Sequence, residues 1–192
     1  MKKSIIWILA VLAVLTTTAA VLQYQQVVFS EKMVRLHVVA NSDSHYDQQL
    51  KLQVRDAVVD ITKELENKQE VAAALPEIQQ AAERCLRENG SNEHVSVTLK
   101  KEQFPTRVYH NFSLPSGVYS ALRVTIGEGK GHNWWCVAFP SICFRATAAA
   151  LEQAAVSAGF SESEVELITE DGGYVLKFKA LELLQSLKDR IF

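Results

Sequence analysis

Three stretches of the chain alternate apolar and polar residues, the period that predicts half-buried β-strands. In the first, Val34, Leu36 and Val38 alternate with polar or charged residues, and the stretches around 95–99 and 118–126 follow the same rule. A fourth stretch, Trp134 to Phe139, is almost wholly apolar and also predicts a strand. We expect it to pair with Val118 to Ile126 as a β-hairpin.

Two consecutive stretches show instead the spacing of amphipathic helices. The first runs from Asp47 to Leu65, and the second from Val71 to about Asn89. The short polar segment Asn41 to Ser44 before them favours a turn and a helix N-cap, because these side chains bond to nearby backbone groups. The order predicts an α+β fold: a mostly antiparallel sheet with two consecutive amphipathic helices packed on one face.

The N-terminus carries Lys2 and Lys3 ahead of a run of 18 uncharged residues, Ile5 to Leu22. Lysines before an apolar run keep the start of a chain in the cytoplasm and send the rest across the membrane. We therefore predict a signal peptide or membrane anchor in residues 1–22. Small residues around Ala20 permit cleavage, and a retained helix is the alternative. Residues 23–33 are interpreted as a linker, and residues 34–192 as a single extracytoplasmic domain.

Composition narrows the class of protein further. The chain has 192 residues, 48% of them hydrophobic and 22% charged, which is typical of one folded domain. Its formal net charge of -2 argues against a nucleic-acid-binding protein, which would usually carry a strongly basic face. We expect no nucleic-acid partner.

A glycine-rich segment, Gly127 to Asn133, precedes the tryptophan strand. A nucleotide-binding loop would need a following helix, whose N-terminal amides hold the phosphate. Here an aromatic strand follows, so the segment is interpreted as a hairpin loop or as a loop that docks a partner. We expect no cofactor. The candidate partner-binding positions are Gly129, Gly131, Asn133, Trp134 and Trp135, together with Asn41, Ser42, Asp43 and Ser44.

The cysteines permit several chemistries. A disulfide between Cys136 and Cys143 is the leading interpretation for a chain that leaves the cytoplasm, provided that the geometry allows it. Reduced structural thiols and a zinc site with His132 are alternatives, although a fourth zinc ligand is not evident. His132 and Cys136 could also form a thiol–imidazole pair. On a regular strand, however, about 13 Å would separate their Cα atoms.

Trp134 and Trp135 are adjacent, so on a strand their side chains point to opposite faces. Two readings stay open at this point. Both indoles could be buried under separate layers, or one could fill the core while the other meets a partner, as exposed aromatic residues often do.

Two groups of segments carry a resemblance to one family. The first is Arg35-Leu-His-Val-Val-Ala-Asn-Ser-Asp-Ser44 with the helix start that follows it. The second is Leu114-Pro-Ser-Gly-Val-Tyr119, followed by Asn133-Trp-Trp-Cys-Val-Ala-Phe-Pro140. Together they resemble stage II sporulation protein R of endospore-forming bacteria, over roughly Arg35 to Phe144.

That resemblance implies a signalling role in sporulation. It implies a protein that is exported into the space between the forespore and mother-cell membranes. There it activates a membrane-embedded aspartic protease, which processes pro-sigma E in the mother cell. On this reading the chain is not an enzyme, and it contacts the membrane through its N-terminal helix if that helix is uncleaved. An extracytoplasmic thiol-dependent or cell-wall-acting enzyme is the alternative.

Overall fold

The structure is a computed structural model and describes residues 2–109, 112–142, 148–161, 164–165 and 169. Within these residues the helices are α1 (Lys2–Glu31), α2 (His45–Thr62), α3 (Lys68–Ala73), α4 (Leu75–Glu88) and α5 (Ala148–Ser157). The strands are β1 (Val34–Val39), β2 (Val95–Phe104), β3 (Arg107–Val108), β4 (Ser113–Leu114), β5 (Gly117–Ile126) and β6 (Asn133–Phe139). The α+β class predicted from the sequence is confirmed.

Four strands form the main sheet in the order β2-β5-β1-β6, and β3 and β4 form a separate two-stranded sheet. β2 pairs antiparallel with β5, and β6 pairs antiparallel with β1. The third pairing, between β1 and β5, is parallel, with Leu36 opposite Leu122. The sheet is therefore mostly antiparallel, as expected, with one parallel pair at its centre.

The predicted hairpin between β5 and β6 is wrong, because β1 lies between them. All six residues of β1 are buried. This short strand, rich in β-branched residues, takes one of the two internal positions of the sheet, where both of its edges are paired. The chain that leaves β5 must consequently cross the end of β1 before it can start β6.

One face of the sheet packs against α2 and α4, so helices cover one face as predicted. The second predicted helix, from Val71 to about Asn89, is divided between α3 and α4. Ser44 caps α2 by accepting a hydrogen bond from the backbone amide of Asp47, and Pro76 lies in the first turn of α4. We call this the helix-covered face. Its core consists of aliphatic residues from both layers, among them Leu36, Val38, Leu50, Val54, Val58, Ile78, Leu122 and Val124.

The opposite face, which we call the aromatic face, is covered by the end of α1 and by later segments of the chain. Its core includes Phe29, Met33, Phe104, Tyr119 and Phe160. Phe29 and Phe160 meet edge to face, with their ring centroids 5.3 Å apart. The two faces thus hold separate apolar clusters on either side of one sheet.

The segment interpreted as a linker is helical up to Glu31, where α1 ends. The Gln26 side chain donates to the carbonyl oxygen of Ser116, and Phe29 is buried, so the end of α1 packs onto the domain. Many apolar side chains earlier in α1 are exposed. In the part of the chain that the structure describes, no helix combines the length and the apolar character needed to cross a membrane. The signal or anchor helix predicted for residues 1–22 is not confirmed.

Candidate recognition surface

The two polar segments singled out in the sequence come together at one end of the sheet. Where the glycine-rich loop crosses the end of β1, the Gly131 amide donates to the carbonyl oxygen of Ala40 at 2.9 Å. The Lys130 amide donates to the carbonyl oxygen of Asn41 at 3.1 Å, and the Glu128 amide donates to the Asn41 side-chain oxygen at 2.9 Å. We call the combined feature, residues 41–44 with residues 127–133, the turn–loop surface.

The turn is held to the start of α2 through the buried carboxylate of Asp47. Ser42 donates its hydroxyl to Asp47 Oδ2 at 2.5 Å, and Asn41 donates its amide to the same oxygen at 3.2 Å. Ser44 completes the cap, accepting from the Asp47 amide at 3.1 Å. Because Asp47 lies in the first turn of α2, the helix dipole also favours its charge. The turn is therefore held by side chains that face inward.

Asp43 and His132 form the exposed centre of the turn–loop surface. The Asp43 carboxylate accepts from the His132 backbone amide at 2.7 Å and contacts Nδ1 of its ring. Desolvation acts to raise the pKa of Asp43, but the hydrogen bonds and charge of His132 outweigh it and hold that pKa below its usual range. The carboxylate is thus ionised at neutral pH, and it joins the turn to the loop.

Beside this pair, Lys51 donates to the carbonyl oxygen of His132 at 2.9 Å and to Gln48 Oε1 at 2.6 Å. Desolvation lowers the pKa of the Lys51 ammonium, although the nearby Asp43 charge opposes that shift. Lys51, on α2, therefore connects that helix to the loop. Together these contacts bind the loop to the helix layer as well as to β1.

Two glycines allow the loop to pass this close. Gly129 has φ +61°, and a Cβ there would lie 2.6 Å from Thr125 Cγ2. A Cβ on Gly131 would lie 2.2 Å from the backbone oxygen of Ser42. Any side chain at Gly131 would push the loop away from the turn. The glycines serve close backbone approach, and phosphate binding is not needed to explain them.

The two tryptophans point to opposite faces of β6, as predicted. Trp134 packs toward the helix-covered face, where the Arg55 guanidinium lies 4.4 Å from its ring centroid. Trp135 lies on the aromatic face, stacked on the His37 ring at a centroid distance of 3.9 Å. Each indole is half-buried, so both are packed and both retain some accessible surface. Of the two readings left open, packing on both sides describes the structure better.

Asn133 is exposed at the start of β6, next to the loop. Its side-chain oxygen lies 2.9 Å from His37 Nε2, while His37 Nδ1 lies 3.1 Å from Glu102 Oε2. Arg123 approaches the other Glu102 oxygen at 3.5 Å. His37 is only 4% exposed, so this polar group continues from the turn–loop surface into the aromatic face.

His37, Glu102 and Arg123 were not among the predicted site residues. The strand pattern around Val34 put His37 on the polar side of β1, and it gave no indication that this side is buried. The available signal was the number of large aromatic residues, such as Phe104 and Tyr119, which pack in a cluster separate from the helix-covered core. His37 lies on the face that this cluster covers.

The structure does not bring together a thiol–imidazole pair. Cys136 is 1% exposed and lies opposite Leu36, whereas the His132 ring is exposed and contacts Asp43. Among the described residues, no group of three or more His, Cys, Asp or Glu side chains could hold a metal ion. Cys143 lies outside the described residues, so its disulfide with Cys136 stays a prediction. The surface offers hydrogen-bonding groups on a fixed backbone, which suits binding.

Comparison with known proteins agrees with the resemblance noted in the sequence. The family model described as stage II sporulation protein R (spore_II_R) matches residues 30–149, more than half of the chain. Stage II sporulation protein R of Bacillus subtilis (strain 168) is 42% identical over 135 residues, which are 66% of this chain and 60% of that relative. The aligned part is thus less than two thirds of the relative's length. No solved structure gives a significant match.

Proposed function

Because the chain belongs to the stage II sporulation protein R family, we propose that it carries a signal between the two cells of a sporulating bacterium. In this proposal it is exported into the space between forespore and mother cell. There it activates a membrane-embedded aspartic protease that processes pro-sigma E. The lysines and apolar run at the N-terminus support export, and the family match supports a role in sporulation.

The proposed mode of action is binding, with no chemistry of its own, through the turn–loop surface. The observation that carries this proposal is the convergence of residues 41–44 and 127–133, which are far apart in the sequence. Inward-facing bonds to Asp47 and Lys51 hold the backbone, while Asp43, Lys130, His132 and Asn133 present exposed polar groups. A rigid backbone with exposed polar groups loses little conformational entropy on binding, which favours recognition of a partner.

The same proposal includes a disulfide between Cys136 and Cys143, formed after export. Cys85 would then be the one free thiol, and desolvation raises its pKa, which makes it a poor nucleophile. A thiol titration of the purified protein under denaturing conditions should find one reactive thiol before reduction and three after it. Three reactive thiols before reduction would contradict the disulfide.

The test of the function is co-expression with the membrane-embedded protease and its pro-sigma E substrate. We expect the exported wild-type chain to give processed sigma factor, and a variant without the N-terminal run to give none. The double variant Lys130→Ala, His132→Ala removes two exposed groups, so it should fold normally and lower processing at least tenfold. Arg87→Ala, which removes an exposed cation from α4, is the matched control and should process normally.

The outcomes separate the two parts of the proposal. Absence of processing by the exported wild-type chain would contradict protease activation itself. Wild-type processing by the double variant would leave activation intact but contradict the turn–loop surface as the contact. Circular dichroism of each purified variant checks that a loss of processing is not a loss of fold.

A further inference from the structure

Arg35 is the largest fully buried side chain of the described residues, and it lies on the aromatic face. Its guanidinium carbon is 4.5 Å from the Phe104 ring centroid and 5.0 Å from that of Tyr119. Arg35 Nε donates to the carbonyl oxygen of Cys136 at 3.2 Å, and Nη2 donates to the Tyr109 hydroxyl at 3.2 Å. Nη1 is buried and has no hydrogen-bond partner among the residues described.

A second guanidinium lies against the same group of rings, in which the Phe104 and Trp135 centroids are 4.9 Å apart. Arg107, on β3, has its guanidinium carbon 5.4 Å from the Trp135 ring centroid, and its Nε is buried without a hydrogen-bond partner in the described part of the chain. Desolvation raises the pKa of the Tyr109 hydroxyl, and the charges of Arg35 and Arg107 both act in the opposite direction. Both cations are therefore within electrostatic range of one phenol.

No carboxylate of the described residues forms an ion pair with either arginine. Glu102, an acidic residue on the aromatic face, is engaged with His37 and Arg123. A buried charge without a counter-charge is costly, because the low-dielectric surroundings do not replace its hydration. Two cations with unused N–H groups in one aromatic environment are the arrangement that an anion would stabilise.

We propose that Arg35 and Arg107 form a binding site for a carboxylate. A carboxylate has two oxygens, which match the planar N–H groups of guanidinium, and hydrogen bonds between the two charged groups are stronger than neutral ones. The aromatic walls formed by Phe104, Tyr119 and Trp135 exclude water and strengthen the pairing. Arg107 is half-exposed, so it links the buried Arg35 to the surface. This inference does not depend on the proposed function.

Thermal unfolding of the full chain in sodium acetate, compared with sodium chloride of equal ionic strength, tests the site. Because a ligand that binds only the folded state stabilises it, Tm should rise by about 2–4 °C at about five times the acetate Kd. The variant Arg107→Gln, at a half-exposed position, should fold and lose this rise. Arg87→Gln removes an exposed cation from α4 and should keep it. Equal Tm values in acetate and chloride would overturn the proposal.

A second pair of probes identifies the source of the carboxylate. The capped peptide acetyl-Gly-Gly-Asp-amide presents an acidic side chain on a polypeptide, and acetyl-Gly-Gly-Asn-amide is its uncharged match. A Tm rise with acetate alone supports a site for a small free acid. A rise with the Asp peptide as well supports a site for an acidic side chain. A rise with the Asn peptide that equals the rise with the Asp peptide would contradict recognition of the charge.

Discussion

The two faces of the sheet are built in different ways, although the same strands supply both. The helix-covered face is aliphatic and closes against α2 and α4. The aromatic face combines rings with buried polar groups: Arg35 is 0% exposed and His37 is 4% exposed. Alternation along β1 puts neighbouring residues on opposite faces, so one six-residue strand serves both environments.

The difference indicates that the two faces contribute differently to stability and to specific contacts. An aliphatic layer is stabilised by apolar burial, which does not depend on the orientation of the contacting groups. Buried polar groups are stabilising only when each is paired, and they impose a specific arrangement on their neighbours. The helix-covered face should therefore contribute most of the free energy of folding. The aromatic face should contribute less of it, and it carries the residues that adjoin Asn133 and the turn–loop surface.

The largest effect is expected from a cavity in the helix-covered face. Leu122 is fully buried in the middle of β5, opposite Leu36. Leu122→Ala should lower the free energy of unfolding by about 2–5 kcal/mol, because the packed surroundings cannot close around the void. Urea unfolding measures this change. Val118→Ala, at a 52% exposed position on the same strand, is the control and should change stability by less than about 0.5 kcal/mol.

On the aromatic face, by contrast, we expect a substitution at a buried position that does not lower the free energy of unfolding. Arg35→Met keeps much of the side-chain volume but removes a buried charge that has no acidic partner in the described residues. We expect the free energy of unfolding to stay unchanged or to rise by about 1–4 kcal/mol, because folding of the variant no longer removes a charged group from water. Urea unfolding in chloride buffer is the measurement. A loss greater than about 1.5 kcal/mol, the usual limit for a volume-conserving core substitution, would show that Arg35 stabilises the fold.

The two faces also differ in how much of their structure the sequence predicted. Helical spacing predicted α2 and α4, and adjacency predicted the opposite directions of Trp134 and Trp135. Alternation showed correctly that Arg35 and His37 share a face of β1. It could not show that this face is covered, since coverage depends in part on Phe104 and Phe160, which lie far away in the sequence. The alternation typical of a half-buried strand thus belongs to a strand that is buried on both faces.

The turn–loop surface shows a similar limit. Its segments were both predicted as candidates, but their contact depends on β1 lying between β5 and β6. Proximity along the chain favoured a hairpin instead, because short connections usually join neighbouring strands. The insertion of a strand from elsewhere in the sequence is a non-local event, and local patterns of apolar residues carry no information about it.

The smallest effect concerns an ion pair at the edge of the aromatic face. Lys32 Nζ lies 2.5 Å from Glu164 Oε2, and it also donates to the carbonyl oxygen of Gly159 at 3.2 Å. Desolvation acts to raise the pKa of Glu164, but hydrogen bonds from Lys32 and Ser161 outweigh it, so the pKa is lowered from 4.5. A carboxylate with a lowered folded-state pKa stabilises the fold above its unfolded pKa, and that contribution disappears as pH falls through the folded value.

Glu164→Gln should accordingly reduce the loss of stability below about pH 4.5, while it lowers the free energy of unfolding at neutral pH by at most about 1 kcal/mol. Both side chains are partly exposed, at 30% for Lys32 and 19% for Glu164, so solvent screening keeps the effect small. Urea unfolding of the variant and the wild type between about pH 3 and pH 7 measures the difference. Glu128→Gln removes a pair with Lys130 in which both side chains are exposed, so solvent screening should make its effect on the pH dependence smaller. Parallel curves for Glu164→Gln and the wild type would mean that Lys32 and Glu164 contribute nothing to the aromatic face.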